Sequence, residues 1–340
     1  MKTRFGLALC AMLAATALSG TKMAHAADFI MKVSSPAPET PIDPLSAWFR
    51  AFEKGVEEKS GGRIDVQFFP ASQLGPIPAT VEGTVMGTIE MTMPAIGFLV
   101  GLDPRFQVFD AEGLFDSELH ALKTLSDPAV RAMMADFGAK AGVEPLAVWP
   151  SGQMIIVSKD PITTVDEMKG KKIRSAGATT LVIKPFEALG IGPVAMPLGD
   201  VLPGIQTGQI DGATINLPVA IGFKYADVAK NVLYMPKKFA IIGGLVNTGF
   251  LKQIGPELEA IVREEALAAN EAFIAKLETA PKAMEGLWTG KMGGTVTTLS
   301  AEEEAKYLAT TGPVIEEVVA GDATLKSVYD TLKAAADANR

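Results

Sequence analysis

The sequence holds a single cysteine, Cys10, and two histidines, His25 and His120. A disulfide framework is therefore excluded, as are a thiolate zinc site and, once residues 1–26 are set aside, a cysteine nucleophile. His120 stands in the amphipathic stretch Ser117–Leu125, which marks it as a surface or capping residue. One histidine gives little support to a histidine-rich metal site or a Ser-His-Asp triad. The chain also lacks G-x-x-x-x-G-K-[ST], H-E-x-x-H, G-x-S-x-G and calcium-loop patterns. Acidic residues are plentiful, but Glu57-Glu58 and Glu302-Glu303-Glu304 read as solvated helix faces. Met91, Met93, Met154 and Met196 read as core, and some of them fall at strand ends that could line a pocket.

Long apolar runs are absent beyond the N-terminus. There, Lys2 and Arg4 precede an apolar core, Phe5 to Gly20, and Ala24-His25-Ala26 follows as an A-x-A site. This is the pattern of a secretory leader cleaved near Ala26. The apolar core is shorter than the roughly 20 residues a span needs. Cys10 follows Leu9 rather than a small residue, which argues against a lipid anchor. The remaining 314 residues carry 28 basic and 39 acidic side chains, a net charge of −11. An exported, soluble chain of two domains is expected, with neither nucleic acid nor an anionic membrane surface as partner. An anionic ligand must then be attracted locally.

Helix and strand patterns alternate along the chain. Phe29–Ser34 reads as a strand, and Leu45, Trp48, Phe49, Phe52 and Val56 share one helix face, ended by Gly61-Gly62. Arg63–Phe68 alternates as a strand. A helix over Ala79–Gly87 and a strand over Ile89–Met93 follow. In the second half, strands are expected at Pro145–Trp149, Met154–Val157, Lys172–Arg174, Pro193–Met196, Ile210–Ile215, Val232–Tyr234 and Ile241–Val246, with helices at Leu181–Leu189 and Asp200–Thr207. Pro256 opens a long helix that Pro281 interrupts, Ser300 with Glu303 forms a capping box, and Asp322–Ala338 is a final helix. The pattern is that of an α/β fold, in which ligands sit beyond the carboxyl ends of strands. Arg174, in Lys171-Lys172-Ile173-Arg174-Ser175, falls just beyond such an end, where its rigid fork of donors suits a carboxylate.

Several segments, in this order and spacing, resemble the extracytoplasmic solute-binding subunits of tripartite ATP-independent periplasmic (TRAP) transporters, of the dicarboxylate-binding-protein type. They are Ser60-Gly61-Gly62-Arg63-Ile64, Phe69-Pro70-Ala71-Ser72-Gln73-Leu74-Gly75, Phe106-Gln107-Val108-Phe109-Asp110, Pro161-Ile162, Met168-Lys169-Gly170-Lys171-Lys172-Ile173-Arg174 and Gln206-Thr207-Gly208-Gln209-Ile210-Asp211-Gly212-Ala213. The resemblance implies an α/β two-lobed clamshell with crossing strands and long helices spanning both lobes. It implies residues 1–26 as signal peptide, 27–151 plus 240–279 as one lobe, and 152–239 plus 280–335 as the other. It also implies a periplasmic location and delivery of a small carboxylate to membrane permease subunits, without cofactor or enzymatic turnover.

In that family the arginine of the K-I-R segment pairs with the ligand carboxylate, and Arg174 matches it. The chain departs from the pattern elsewhere. Met154, beside Gln153, stands where many members carry a second arginine. Strict alignment puts Ile215 at the family's asparagine, with Asn216 next to it, and Leu198 replaces an aromatic. These changes favour a monocarboxylate with an apolar or aromatic body over a dicarboxylate. Contacts from the other lobe are expected from Ser34–Thr40 and Met93–Phe98, including Phe98, with Asn247 as a further candidate. A secreted α/β hydrolase or isomerase, or a sensor subunit with the same pocket, is also compatible with the sequence.

Overall fold

The computed structural model describes residues 27–340. The leader and Cys10 lie outside the described residues. Nine strands form one mixed sheet: β1 (Phe29–Ser34), β2 (Ile64–Phe69), β3 (Met91–Thr92), β4 (Val143–Ser158), β5 (Lys172–Ser175), β6 (Gly192–Ala195), β7 (Gly212–Asn216), β8 (Asn231–Asn247) and β9 (Thr295–Thr297). Their order is β2-β1-β3-β8-β4-β7-β5-β6, with β9 alongside β8. β1 to β3 are parallel and join the C-terminal part of β8 through Met91↔Val246. β5 lies parallel between β6 and β7, and β7 joins the C-terminal part of β4 through Met154↔Asn216. The molecule is thus two lobes sharing two long antiparallel strands.

Those two strands replace four shorter ones expected from the sequence. Pro145–Trp149 and Met154–Val157 are one strand of 16 residues, and Val232–Tyr234 and Ile241–Val246 are one of 17. The gap left between the expected strands is a joint irregularity. Register runs Pro150↔Ile241, Gln153↔Phe239, Ile155↔Tyr234, so residues of both strands are looped out at one level. Gly152 (φ +80°) and Lys237 (φ +46°) sit there in left-handed conformations. A bulge of this kind bends and twists a strand without ending it.

The helices are α1 (Pro44–Lys59), α2 (Ile77–Met86), α3 (Glu118–Leu125), α4 (Pro128–Met134), α5 (Thr180–Ala188), α6 (Leu198–Thr207), α7 (Leu217–Gly222), α8 (Thr248–Ala268), α9 (Asn270–Leu277), α10 (Ala280–Gly286), α11 (Ala301–Ala320) and α12 (Ala323–Ala338). Asp43 caps α1, and its predicted stripe, Trp48, Phe49, Phe52 and Val56, is wholly buried against α8, α9 and the sheet. Each such side chain contributes roughly 1.5–3 kcal/mol. Gly255 breaks α8 and Pro256 restarts it, while Pro281 falls in the first turn of α10 rather than inside a helix.

Three local expectations are corrected by long-range packing. Ser300 caps α11, but the reciprocal half of the capping box is not made: Glu303 Oε2 accepts from the Val165 backbone N–H instead. His120 is buried, not on the surface. Its Nδ1 accepts from the Asp116 amide and its Nε2 lies 2.8 Å from the Ala336 carbonyl, tying α3 to α12. α12 packs on α3, α4 and the segment Pro104–Asp110, so residues 323–335 lie with the first lobe rather than the second. The two lobes also touch where Thr179 Oγ1 donates to Asp110 Oδ2 at 2.7 Å and Gly177 lies against the Gly97 backbone.

Candidate ligand-binding site

Arg174 lies within β5, the third of its four residues, rather than beyond its end. Alternation along the strand sends Ile173 into the hydrophobic core and Arg174 to the opposite face. There Nε donates to the Met196 carbonyl at 2.9 Å and Nη1 to the Thr214 carbonyl at 3.0 Å, while Thr214 Oγ1 donates back to the Arg174 carbonyl. The strands on either side therefore fix the guanidinium plane. Nη2 donates to no described residue.

The side chain is 3 % exposed, yet no carboxylate compensates it. Burial lowers its pKa from 12.5 to about 10, and the only titratable group close enough to oppose this is the buried Tyr225 phenol, itself pushed up to about 12. Buried cations are ordinarily paired. The drop corresponds to about 3 kcal/mol of unmet demand for a counter-charge.

Arg174 faces a cavity of about 90 Å³. Its walls come from both lobes: Ser35, Pro36, Ala37, Met93, Ala95 and Phe98 on one side, and Met154, Leu198, Ile215 and Asn216 on the other. The structure thus gathers Arg174, Met154, Leu198, Phe98 and both alternatives at 215–216 around one space. Ile215 and Asn216 can both line it because β7 ends at Asn216, where the chain turns into α7. Among the described residues no other charged side chain and no histidine lines the cavity.

Three candidates take other roles. Asn216 borders the cavity with its amide already committed: Oδ1 accepts from the Val219 amide as the cap of α7, and Nδ2 donates to Ser151 Oγ at 2.8 Å and to the Ser151 carbonyl. Gln153 faces away, lining an adjoining cavity of about 500 Å³, with Nε2 donating to the Met235 carbonyl across the hinge. Asn247 lies apart from both cavities. It caps α8 and donates to the Thr84 carbonyl at 2.8 Å, because an asparagine ahead of a helix satisfies a free amide there. Sequence reasoning missed Ser151, Thr214 and Ile242, three further lining residues. Their signal was positional: each lies on β4, β7 or β8, the strands that frame the cavity.

Among the described residues no helix is long and apolar enough to cross a membrane, and no group of three or more His, Cys, Asp or Glu is placed to hold a metal ion.

Comparison with known proteins agrees with this architecture. The C4-dicarboxylate-binding periplasmic protein of Rhodobacter capsulatus is 30 % identical over 322 residues, 91 % of this chain and 93 % of that protein. The 2,3-diketo-L-gulonate-binding periplasmic protein of Escherichia coli is 28 % identical over 240 residues, 70 % of this chain and 73 % of that one. A TRAP periplasmic solute-binding protein from Desulfovibrio salexigens, solved with bound orotic acid, superposes with a TM-score of 0.82 at 24 % identity, covering 90 % of this chain and 99 % of that one. The profile of bacterial extracellular solute-binding protein family 7 matches residues 38–322. The chain belongs to that family, the DctP family of TRAP solute-binding subunits.

Proposed function

We propose that this chain is the periplasmic subunit that captures a compact monocarboxylate with an apolar or aromatic body and delivers it to TRAP membrane permease subunits. The leader would be removed near Ala26 on export. The observation that carries this reading is Arg174, a buried guanidinium without a counter-charge, facing an otherwise uncharged, largely apolar cavity. Two of its five donors are held by backbone carbonyls, including Nε. A carboxylate then meets the guanidinium end-on, at Nη1 and Nη2, rather than along its Nε edge.

A second carboxylate or a run of hydroxyls would find Met154, Leu198 and Ile215 in place of donors, and a polar group buried without partners is costly. Walls from both lobes allow the solute to favour the closed form, since a ligand shifts an equilibrium only by its differential affinity. The test is calorimetry of ligand-free protein against mono- and dicarboxylates, aromatic acids and sugar acids. The expected hit is a monocarboxylate such as 3-methylbutanoate or benzoate, lost in Arg174→Ala. A preference for succinate or a hexuronate, or undiminished affinity in the mutant, overturns the reading.

A further inference from the structure

The hinge carries a titratable group that the ligand site does not use. Where β4 and β8 lose register together, the segment leading into α3 holds both strands. Lys237 Nζ donates to Asp116 Oδ1 at 3.0 Å, and the Gly152 backbone N–H donates to Glu118 Oε1 at 2.8 Å. The Gly152 amide belongs to the looped-out part of β4. One carboxylate of the first lobe is therefore bonded to the bulge in a strand that the two lobes share.

Glu118 also lines the 500 Å³ cavity beside the ligand site, and the walls of that cavity belong to both lobes. Asp43, Pro44 and Leu45 come from the first lobe, and Leu217, Tyr234 and Glu285 from the second. The titratable groups facing Glu118 are all acidic: Asp43 at the start of α1, Asp116 on its own segment, Tyr234 from β8 and Glu285 from α10. Among the described residues no lysine or arginine lines the cavity, and Lys237 is turned onto Asp116. His120, two residues on, is directed to the Asp116 amide and Ala336. Burial, with a smaller effect from Asp43, raises the Glu118 carboxyl from 4.5 to about 7, partly opposed by the Gly152 hydrogen bond.

We propose that closure of the two lobes is coupled to proton uptake by Glu118, so that the closed form is favoured in acid and opens as the medium turns alkaline. Parting the walls admits water to the carboxyl, and a hydrated carboxylate returns toward its ordinary pKa. The closed form then has the higher pKa. Its advantage is complete below the open-form pKa and is lost as pH rises through the closed-form value, a window from about 4.5 to about 7. Within that window the closed-to-open ratio falls by up to about tenfold per pH unit. Arg174 stays charged throughout, so it is not the source of such a change.

The test uses ligand-free chain and therefore stands apart from the identity of the solute. Residues 27–340 contain no cysteine, so with Cys10→Ser the chain accepts two specific labels. Lys54→Cys on α1 and Lys184→Cys on α5, both at exposed positions on opposite lobes, carry a donor and an acceptor fluorophore. Single-molecule energy transfer should show the closed-to-open ratio falling about tenfold or more from pH 5 to pH 8. Glu118→Gln keeps a carbonyl acceptor for the Gly152 amide and cannot ionise, so its ratio should stay at the acid value across the range. A ratio that does not change with pH, or one that changes equally in Glu118→Gln, overturns the proposal.

Discussion

Replacing Arg174 by methionine separates what the guanidinium does for the ligand from what it does for the fold. Methionine fills similar space without charge. Without ligand, the substitution relieves the cost of a buried cation, about 3 kcal/mol from the fall of its pKa to about 10. It also leaves the Met196 and Thr214 carbonyls without their donors, at about 1–3 kcal/mol each. The two effects nearly cancel. A net change near 1 kcal/mol moves the melting temperature of a chain this size by roughly 1–2 °C.

Binding responds differently. On the proposed reading the ligand carboxylate loses its charged partner in the cavity, a loss of about 2–5 kcal/mol, or roughly 30- to 4000-fold in Kd. Arg174→Lys should recover only part of this, because one ammonium cannot hold both carbonyls and the ligand at once. Calorimetric titration and a thermal melt on the same preparations provide the comparison. A methionine variant that binds within tenfold of the parent, or that unfolds without ligand at room temperature, would refute the reasoning.

The contacts between the lobes yield further expectations. Thr179→Val removes the 2.7 Å hydrogen bond to Asp110, a half-buried carboxyl whose pKa desolvation already raises; hydrogen bonds to charged groups contribute about 1.5–3 kcal/mol. Ligand release should accelerate by roughly tenfold or more in stopped-flow displacement, and an unchanged rate would show that the contact survives opening. Lys238→Met leaves Glu112, bonded to Lys238 at 2.6 Å and to Tyr307 at 2.9 Å, as a buried charge with one partner fewer. Denaturant unfolding should show a loss of about 3–5 kcal/mol, with a loss under 1 kcal/mol contradicting the burial of the pair. Gly152→Ala forces an L side chain to φ +80° at the hinge, at a cost of about 1–3 kcal/mol, and should lower the melting temperature without displacing neighbours, since the nearest atom to the new methyl is 3.8 Å away.

Much of the architecture was legible because its signals are local. The α1 stripe follows helical spacing, Ser300 and Asp322 stand where capping residues belong, and Ile173-Arg174 alternates as a strand does. Arg174 was nominated from its place in the K-I-R segment, and in the fold it is a buried guanidinium that no described carboxylate pairs. Asn216 borders the cavity while capping α7, and Asn247 caps α8 away from it. A polar residue at a strand end can serve a ligand or cap the next helix, and sequence does not say which free amide is nearer.

What escaped the sequence lies where distant segments meet. Ser151-Gly152 and Met235–Lys238 carry the marks of turns, and each becomes a bulge only because the other strand breaks at the same level. His120 is polar on an amphipathic stretch and becomes core only when α12 arrives. Thr179 finds Asp110, and Glu118 finds Gly152, across 69 and 34 residues of chain. These joints lie where the two lobes meet. The residues proposed to meet the solute could be nominated one by one from the sequence, whereas the contacts that join the lobes became visible only in the folded molecule.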